Sequence, residues 1–113
     1  MESVKSSRRF KEIYAGGLSK ADSLLVLYKL ENGLNVTRAG ISVSGKVGGA
    51  VIRNRQKRRL KEILRHRDSA IINGYDIIII VRVRAADASY RELEESLMSL
   101  LRQHKLLNLE TVK

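Results

Sequence analysis

At 113 residues with 43% hydrophobic content, the chain is long enough to form one domain with a core of its own. Its 22 Lys and Arg against 12 Asp and Glu give a net charge of +10, a field suited to a polyanionic partner. Cysteine is absent, which excludes disulfides, thiolate catalysis and cysteine-ligated zinc.

Residues 6 to 15 predict a short helix, with Phe10, Ile13 and Tyr14 at i, i+3 and i+4, and Gly16-Gly17 stops it. The N-terminal stretch, Met1 to Arg9, holds no apolar core region, so no secretory signal is expected. Leu24 to Leu30 predicts a strand, with Leu24, Val26, Tyr28 and Leu30 on one face and Leu25, Leu27 and Lys29 on the other. Asn32-Gly33 is a turn signal, so the following strand is expected to return antiparallel. In that strand Ala39, Ile41 and Val43 alternate with Arg38, Gly40, Ser42 and Ser44. Gly45, Gly48 and Gly49 then lead into a helix from about Ala50 to Arg67. Tyr75 to Arg84 predicts a third strand, apolar on both faces from Ile77 to Val81 and therefore central or covered on each side. Asp76 and Asp87 are expected at element edges, as turn or cap residues. Ser89 and Glu92 form a capping box, followed by Leu93, Leu97, Leu100, Leu101 and His104 at helical period.

The order helix–strand–strand–helix–strand–helix predicts an α+β fold, with helices packed on a small mixed sheet. No repeat, low-complexity segment or domain boundary interrupts it, so residues 1–113 are expected to form a single domain. The longest apolar run, Ile77 to Val81, is far shorter than the ~20 residues of a membrane span. A cytoplasmic location is the matching expectation.

The helix from Ala50 to Arg67 is the functional centre of the sequence. From Lys46 to Arg67, nine Lys and Arg face one acid, Glu62. On a helical wheel Ile52, Leu60, Ile63 and Leu64 cluster on one side, with Asn54, Arg58, Lys61 and Arg65 opposite. Arg53 and Lys57 flank the apolar stripe on one side, and Arg55 and Arg59 on the other. Like charges at i, i+4 destabilise a helix by a few tenths of a kcal/mol per pair, so stability alone does not select this composition. Ordinary solvated faces mix signs; this one predicts phosphate binding. The excess of arginine over lysine favours bidentate phosphate contacts. Asn54 could contact a phosphate, though capping is the commoner role of an isolated Asn. A membrane-surface role lacks Trp or Phe anchors on the apolar face.

The string Gly40-Ile41-Ser42-Val43-Ser44-Gly45-Lys46-Val47-Gly48-Gly49-Ala50-Val51-Ile52-Arg53-Asn54-Arg55-Gln56-Lys57-Arg58-Arg59-Leu60-Lys61-Glu62 closely resembles the signature of the protein subunit of bacterial ribonuclease P. Phe10 and Tyr14 match the paired aromatics of that family's first helix, and Leu25 to Tyr28 and Tyr75 to Ile80 match two of its strands. The resemblance implies a two-layer α–β sandwich in which the basic helix lies in a left-handed crossover, against the usual right-handed rule. It also implies one short strand beyond those that periodicity reveals. The implied activity is endonucleolytic removal of the 5′ leader from precursor tRNA, with the chemistry on a large RNA subunit that positions Mg²⁺. By the same resemblance, this RNA-binding domain pairs one-to-one with that RNA through Arg53, Asn54, Arg55, Lys57, Arg58, Arg59, Lys61 and Arg65. The leader is gripped in a cleft by Phe10, Tyr14 and Tyr28, with Arg38 and Lys46 at its polar edge. Two positions depart from the family pattern: Gly45 and Gly49 stand where basic or polar residues are common.

The residues themselves place the chemistry elsewhere. His66 and His104 lack metal-ligand spacing, and no Asp/Glu cluster suits a two-metal site. Two other classes compete: a structural ribosomal RNA binder and a DNA-binding regulator. The regulator is disfavoured because strands flank the basic helix, and the ribosomal reading leaves Phe10, Tyr14 and Tyr28 unexplained. For Phe10 and Tyr28 core packing is the plain alternative. Stacking on unpaired bases gains ground once a single-stranded leader is the ligand.

Overall fold

A computed structural model describes residues 1–108. Its elements are β1 (Glu2–Ser3), α1 (Ser7–Gly16), β2 (Leu18–Ala21), β3 (Leu25–Glu31), β4 (Arg38–Val43), α2 (Ala50–Arg67), β5 (Tyr75–Val81) and α3 (Tyr90–Gln103). Short 3-10 turns cover Asp68–Ala70 and Val83–Asp87. The five strands form one mixed sheet in the order β1-β4-β5-β3-β2, an α+β arrangement as the sequence predicts.

The run Ile77 to Val81 explains why β5 is central. Ile77, Ile79 and Val81 point into the main core with Leu25, Leu27, Leu60, Ile63, Leu64 and the α3 leucines Leu93, Leu97, Leu100 and Leu101. Ile78 lies in a smaller cluster on the other face with Val4 and Ile13, against which Phe10, Tyr28, Leu30 and Ile80 pack. Thus α2 and α3 cover one face, and α1 covers part of the other. Each fully buried Leu or Ile contributes roughly 1.5–3 kcal/mol of burial, so the α2–α3 face is the main source of stability.

The turn at Asn32-Gly33 forms, with Gly33 at φ 70°, where glycine carries no steric cost. The next strand does run opposite to β3, but the two do not pair: β5 lies between them, antiparallel to β3 and parallel to β4. The reason lies in the turn itself. Asn32 N–H donates to Gly74 O, and its side-chain amide reaches Val36 O and Asp76 Oδ1. These bonds fasten the turn to the start of β5 and carry the chain past it. The crossover from β4 to β5 then passes through α2.

Two short strands escape periodicity. β1 pairs with β4 for two residues, and β2 pairs with β3 from Leu18 to Ala21, where every residue is exposed. The strand expected to reach Arg84 ends at Val81, where β3 runs out of partners at Leu25. Arg82 then bonds back to Leu24 O and Asp22 O, and Arg84 falls in a 3-10 turn. The capping box on α3 is present, Ser89 and Glu92 each accepting from the other's backbone N–H. His104, at helical period with the α3 leucines, is buried with them. Its Nε2 donates to Leu27 O at 2.7 Å, and burial pushes its pKa below the usual value.

Asp76 stands near the start of β5 as expected, but it is not a turn or cap residue. It is fully buried, and its carboxylate accepts four hydrogen bonds: from Arg38 Nε (2.8 Å) and Nη2 (2.6 Å), Arg9 Nε (2.7 Å) and Asn32 Nδ2 (2.9 Å). Burial raises its pKa, but the bonds from Arg38, Asn32 and Arg9 outweigh that and hold it at about 2.

Removing one partner of a buried ion pair costs about 3–5 kcal/mol. Asp76→Ala is therefore expected to lower the unfolding free energy by an amount in that range, read from urea melts followed by circular dichroism. Because the folded pKa is depressed, the Asp76 contribution is complete above the usual value of 3.8 and lost as pH falls toward about 2. An acid titration of parent and variant should therefore converge over that window.

Candidate nucleic-acid interface

Helix α2 begins and ends where the sequence places it. Leu60, Ile63 and Leu64 are buried, Ile52 is half-buried, and Asn54, Arg58, Lys61 and Arg65 are exposed. Arg53, Arg55, Lys57 and Arg59 lie at intermediate depth along the two flanks. The helix carries no acid in its first turn, and Arg65, His66 and Arg67 occupy the last. The last-turn cations complement the negative end of the helix dipole. Only Glu62 relieves the repulsion locally, reaching Arg65 at 3.7 Å and His66 at 3.4 Å.

The wheel misses Gln56. It belongs to the buried face and is fully enclosed, donating Nε2 to Ala85 O (2.6 Å) and Ala88 O (3.0 Å). Two arginines are also committed within the protein: Arg55 Nη2 donates to Ala86 O and Arg59 Nη1 to Ala88 O. No sequence signal marks these bonds, since their acceptors are backbone carbonyls about 30 residues away.

The three aromatics come together as a row between α1 and the sheet. The Phe10 and Tyr14 rings lie 6.3 Å apart, and Tyr14 meets Tyr28 edge-to-face at 5.2 Å. Tyr14 is 41% exposed, while Phe10 and Tyr28 are half-buried. Phe10 rests on Gly40, where an added Cβ would lie 2.5 Å from its ring tip. Glycine is therefore required for α1 to sit this close to β4.

A groove of about 370 Å³ joins Phe10, at one end of the aromatic row, to the basic helix. Val4, Phe10, Gly40 and Ile41 line it from the sheet side, and Lys57, Lys61, Leu64 and Arg65 from α2. It runs past the edge of β4, which β1 covers for only two residues. Tyr14, Tyr28, Arg38 and Lys46 are not among its lining residues. Arg38 is held on Asp76, and Lys46 is exposed on the turn between β4 and α2. In that turn, a side chain at Gly45 or Gly49 would meet nothing within 4 Å, so packing does not demand glycine there. Among the described residues no three His, Asp or Glu converge as metal ligands, and no helix is long and apolar enough to cross a membrane.

The family model described as Ribonuclease P matches residues 1–105. The ribonuclease P protein component of Alkaliphilus oremlandii is 42% identical over 105 residues, spanning 93% of this chain and 92% of that one. The fold superposes on the Staphylococcus aureus RNase P protein with a TM-score of 0.89 at 36% identity, over 96% of this chain and 99% of that one. For the Thermotoga maritima RNase P protein the TM-score is 0.84 at 31% identity, over 91% and 97%.

Overpacking a close contact typically costs 1–3 kcal/mol. Gly40→Ala is expected to destabilise the protein by about that amount, because the new methyl meets the Phe10 ring. Phe10→Leu placed in the Gly40→Ala background should recover part of the loss. Paired urea melts of the single and double variants test this, and equal midpoints would remove Gly40–Phe10 packing as the cause.

Proposed function

The chain belongs to the ribonuclease P protein family, and from that premise we propose how it serves as the protein subunit in maturation of the tRNA 5′ end. The partners are the RNA subunit of the enzyme and precursor tRNA. The observation that carries the reading is the groove in which Phe10 faces Lys57, Lys61 and Arg65. An aromatic surface beside a row of cations is the arrangement that holds single-stranded nucleic acid: bases stack, phosphates pair.

In this reading the exposed and flanking cations of α2, Arg53, Lys57, Arg58, Lys61 and Arg65, meet the phosphates of the RNA subunit, with Arg55, Arg59 and Asn54 at the same surface. The 5′ leader lies along Phe10, Tyr14 and Tyr28. Lys46 adds charge from the turn, and Arg38, oriented by Asp76, lies at the far end of β4. Residues 1–113 act as one RNA-binding domain, one copy per RNA subunit, in the cytoplasm. Phosphodiester hydrolysis belongs to the RNA subunit and the Mg²⁺ that it and the substrate bind. The protein contributes binding and orientation, which lower the barrier by fixing the reacting groups.

The experiment is reconstitution with an RNA subunit transcript and cleavage of precursor tRNA at low Mg²⁺. The protein is expected to stimulate cleavage, and to cleave nothing by itself after stringent removal of RNA. Binding without stimulation would favour a purely structural RNA-binding role.

Base–aromatic stacking contributes ~1–3 kcal/mol per base, so Tyr28→Ala should weaken precursor tRNA binding by that order and leave mature tRNA, which lacks the leader, almost unchanged. Thermal melts run alongside decide the alternative. A variant that melts much earlier and loses both ligands alike would assign Tyr28 to the core.

A further inference from the structure

Between β5 and α3 the chain makes the 3-10 turn Val83–Asp87, and α2 devotes three side chains to it. Gln56 donates to Ala85 O and Ala88 O, Arg59 to Ala88 O and to Gln56 Oε1, and Arg55 to Ala86 O. A buried amide is costly unless its bonds are made, and here both ends of the Gln56 amide are satisfied. Closing the core at this point requires only the buried Ala85 and Ala88. The polar clamp does something else: it fixes the position of the turn along the helix.

The contacts fix the placement. Ala85 meets Gln56, Ala86 meets Arg55 and Ala88 meets both Gln56 and Arg59, so the turn lies against the 55–59 segment of α2. Arg84 adjoins the first of these clamped residues. It is exposed and, among the described residues, has no hydrogen-bond or ion-pair partner, whereas neighbouring Arg82 is tied to Asp22 O. An arginine on a clamped turn gives up little freedom on binding, which is the advantage of preorganisation.

We propose that the 83–88 turn is a second wall of the RNA interface, in which Arg84 contacts a phosphate and Arg55, Gln56 and Arg59 are positioning residues that hold it beside α2. The proposal rests on the reading that α2 binds the RNA subunit.

The test is the slope of log affinity against log salt for the RNA subunit transcript, with melting temperature recorded for each protein. Arg58→Ala, on the exposed face of α2, is the control: a slope flattened by about 0.7–0.9 shows that the helix meets phosphate. Arg84→Ala is expected to flatten the slope by a similar amount without changing the melting temperature. Gln56→Leu, which alters no charge, should flatten it too, and adding Arg84→Ala to Gln56→Leu should flatten it no further. If Gln56→Leu does not fold, Gln56→Asn, which shortens the amide and alters no charge, provides the same comparison. A parent-like slope for Arg84→Ala, beside a flattened one for Arg58→Ala, overturns the phosphate contact alone. A full further loss in the double variant overturns the positioning role. Parent-like slopes for both Arg58→Ala and Arg84→Ala would instead overturn the reading of α2.

Discussion

The buried carboxylate of Asp76 is the constraint on which the rest of the molecule's working face depends. It sits on the central strand and accepts from residues on α1, the turn after β3, and the start of β4. An unpaired carboxylate in that position would be prohibitive, so the four bonds must be made together. Making them brings Arg9 down onto the sheet, and Arg9 also reaches Glu31 O. Phe10, the next residue, is thereby set over Gly40, and Tyr14 one turn later over Tyr28. The aromatic row is a consequence of an ion-pair network that begins at the residue before Phe10.

Helix α2 presents the opposite problem. Its composition works against its own stability, with cations at successive helical neighbours and one acid between them. What holds it is the stripe Leu60, Ile63 and Leu64 packed against α3 and the sheet, together with the Gln56 bonds. Surface charge can be this one-sided only because the apolar face is sealed so completely. Phosphate binding would relieve the repulsion and release counterions, so the cost in the free protein becomes part of the driving force for association.

The two features meet at the groove along β4. Because β1 pairs for only two residues, the edge of β4 stays open between α1 and α2. Lengthening β1 would close the edge and bury the junction of aromatic and basic surfaces. Short edge strands generally limit unwanted pairing; here the brevity also leaves the groove open.

Wherever local pattern carries the information, the sequence already contains the answer. Alternation locates β3 and β4, and the bounds of α2, the α3 capping box and the centrality of β5 follow from spacing and composition. The Arg-Asn-Arg string and the paired aromatics likewise mark both halves of the candidate site. Pattern fails where structure depends on partners distant in the chain. β1 and β2 are too short, and in β2 too exposed, to leave a period-2 signal. The insertion of β5 between β3 and β4 is invisible because the Asn32-Gly33 turn looks like a hairpin until Gly74 and Asp76 claim its donors. Arg9 and Asp76 are 67 residues apart, and Gln56 bonds to carbonyls about 30 residues away. Periodicity records how each residue meets solvent or core within its own element. Which buried polar groups satisfy one another is fixed only when the elements assemble, because no group can be desolvated until its partner arrives.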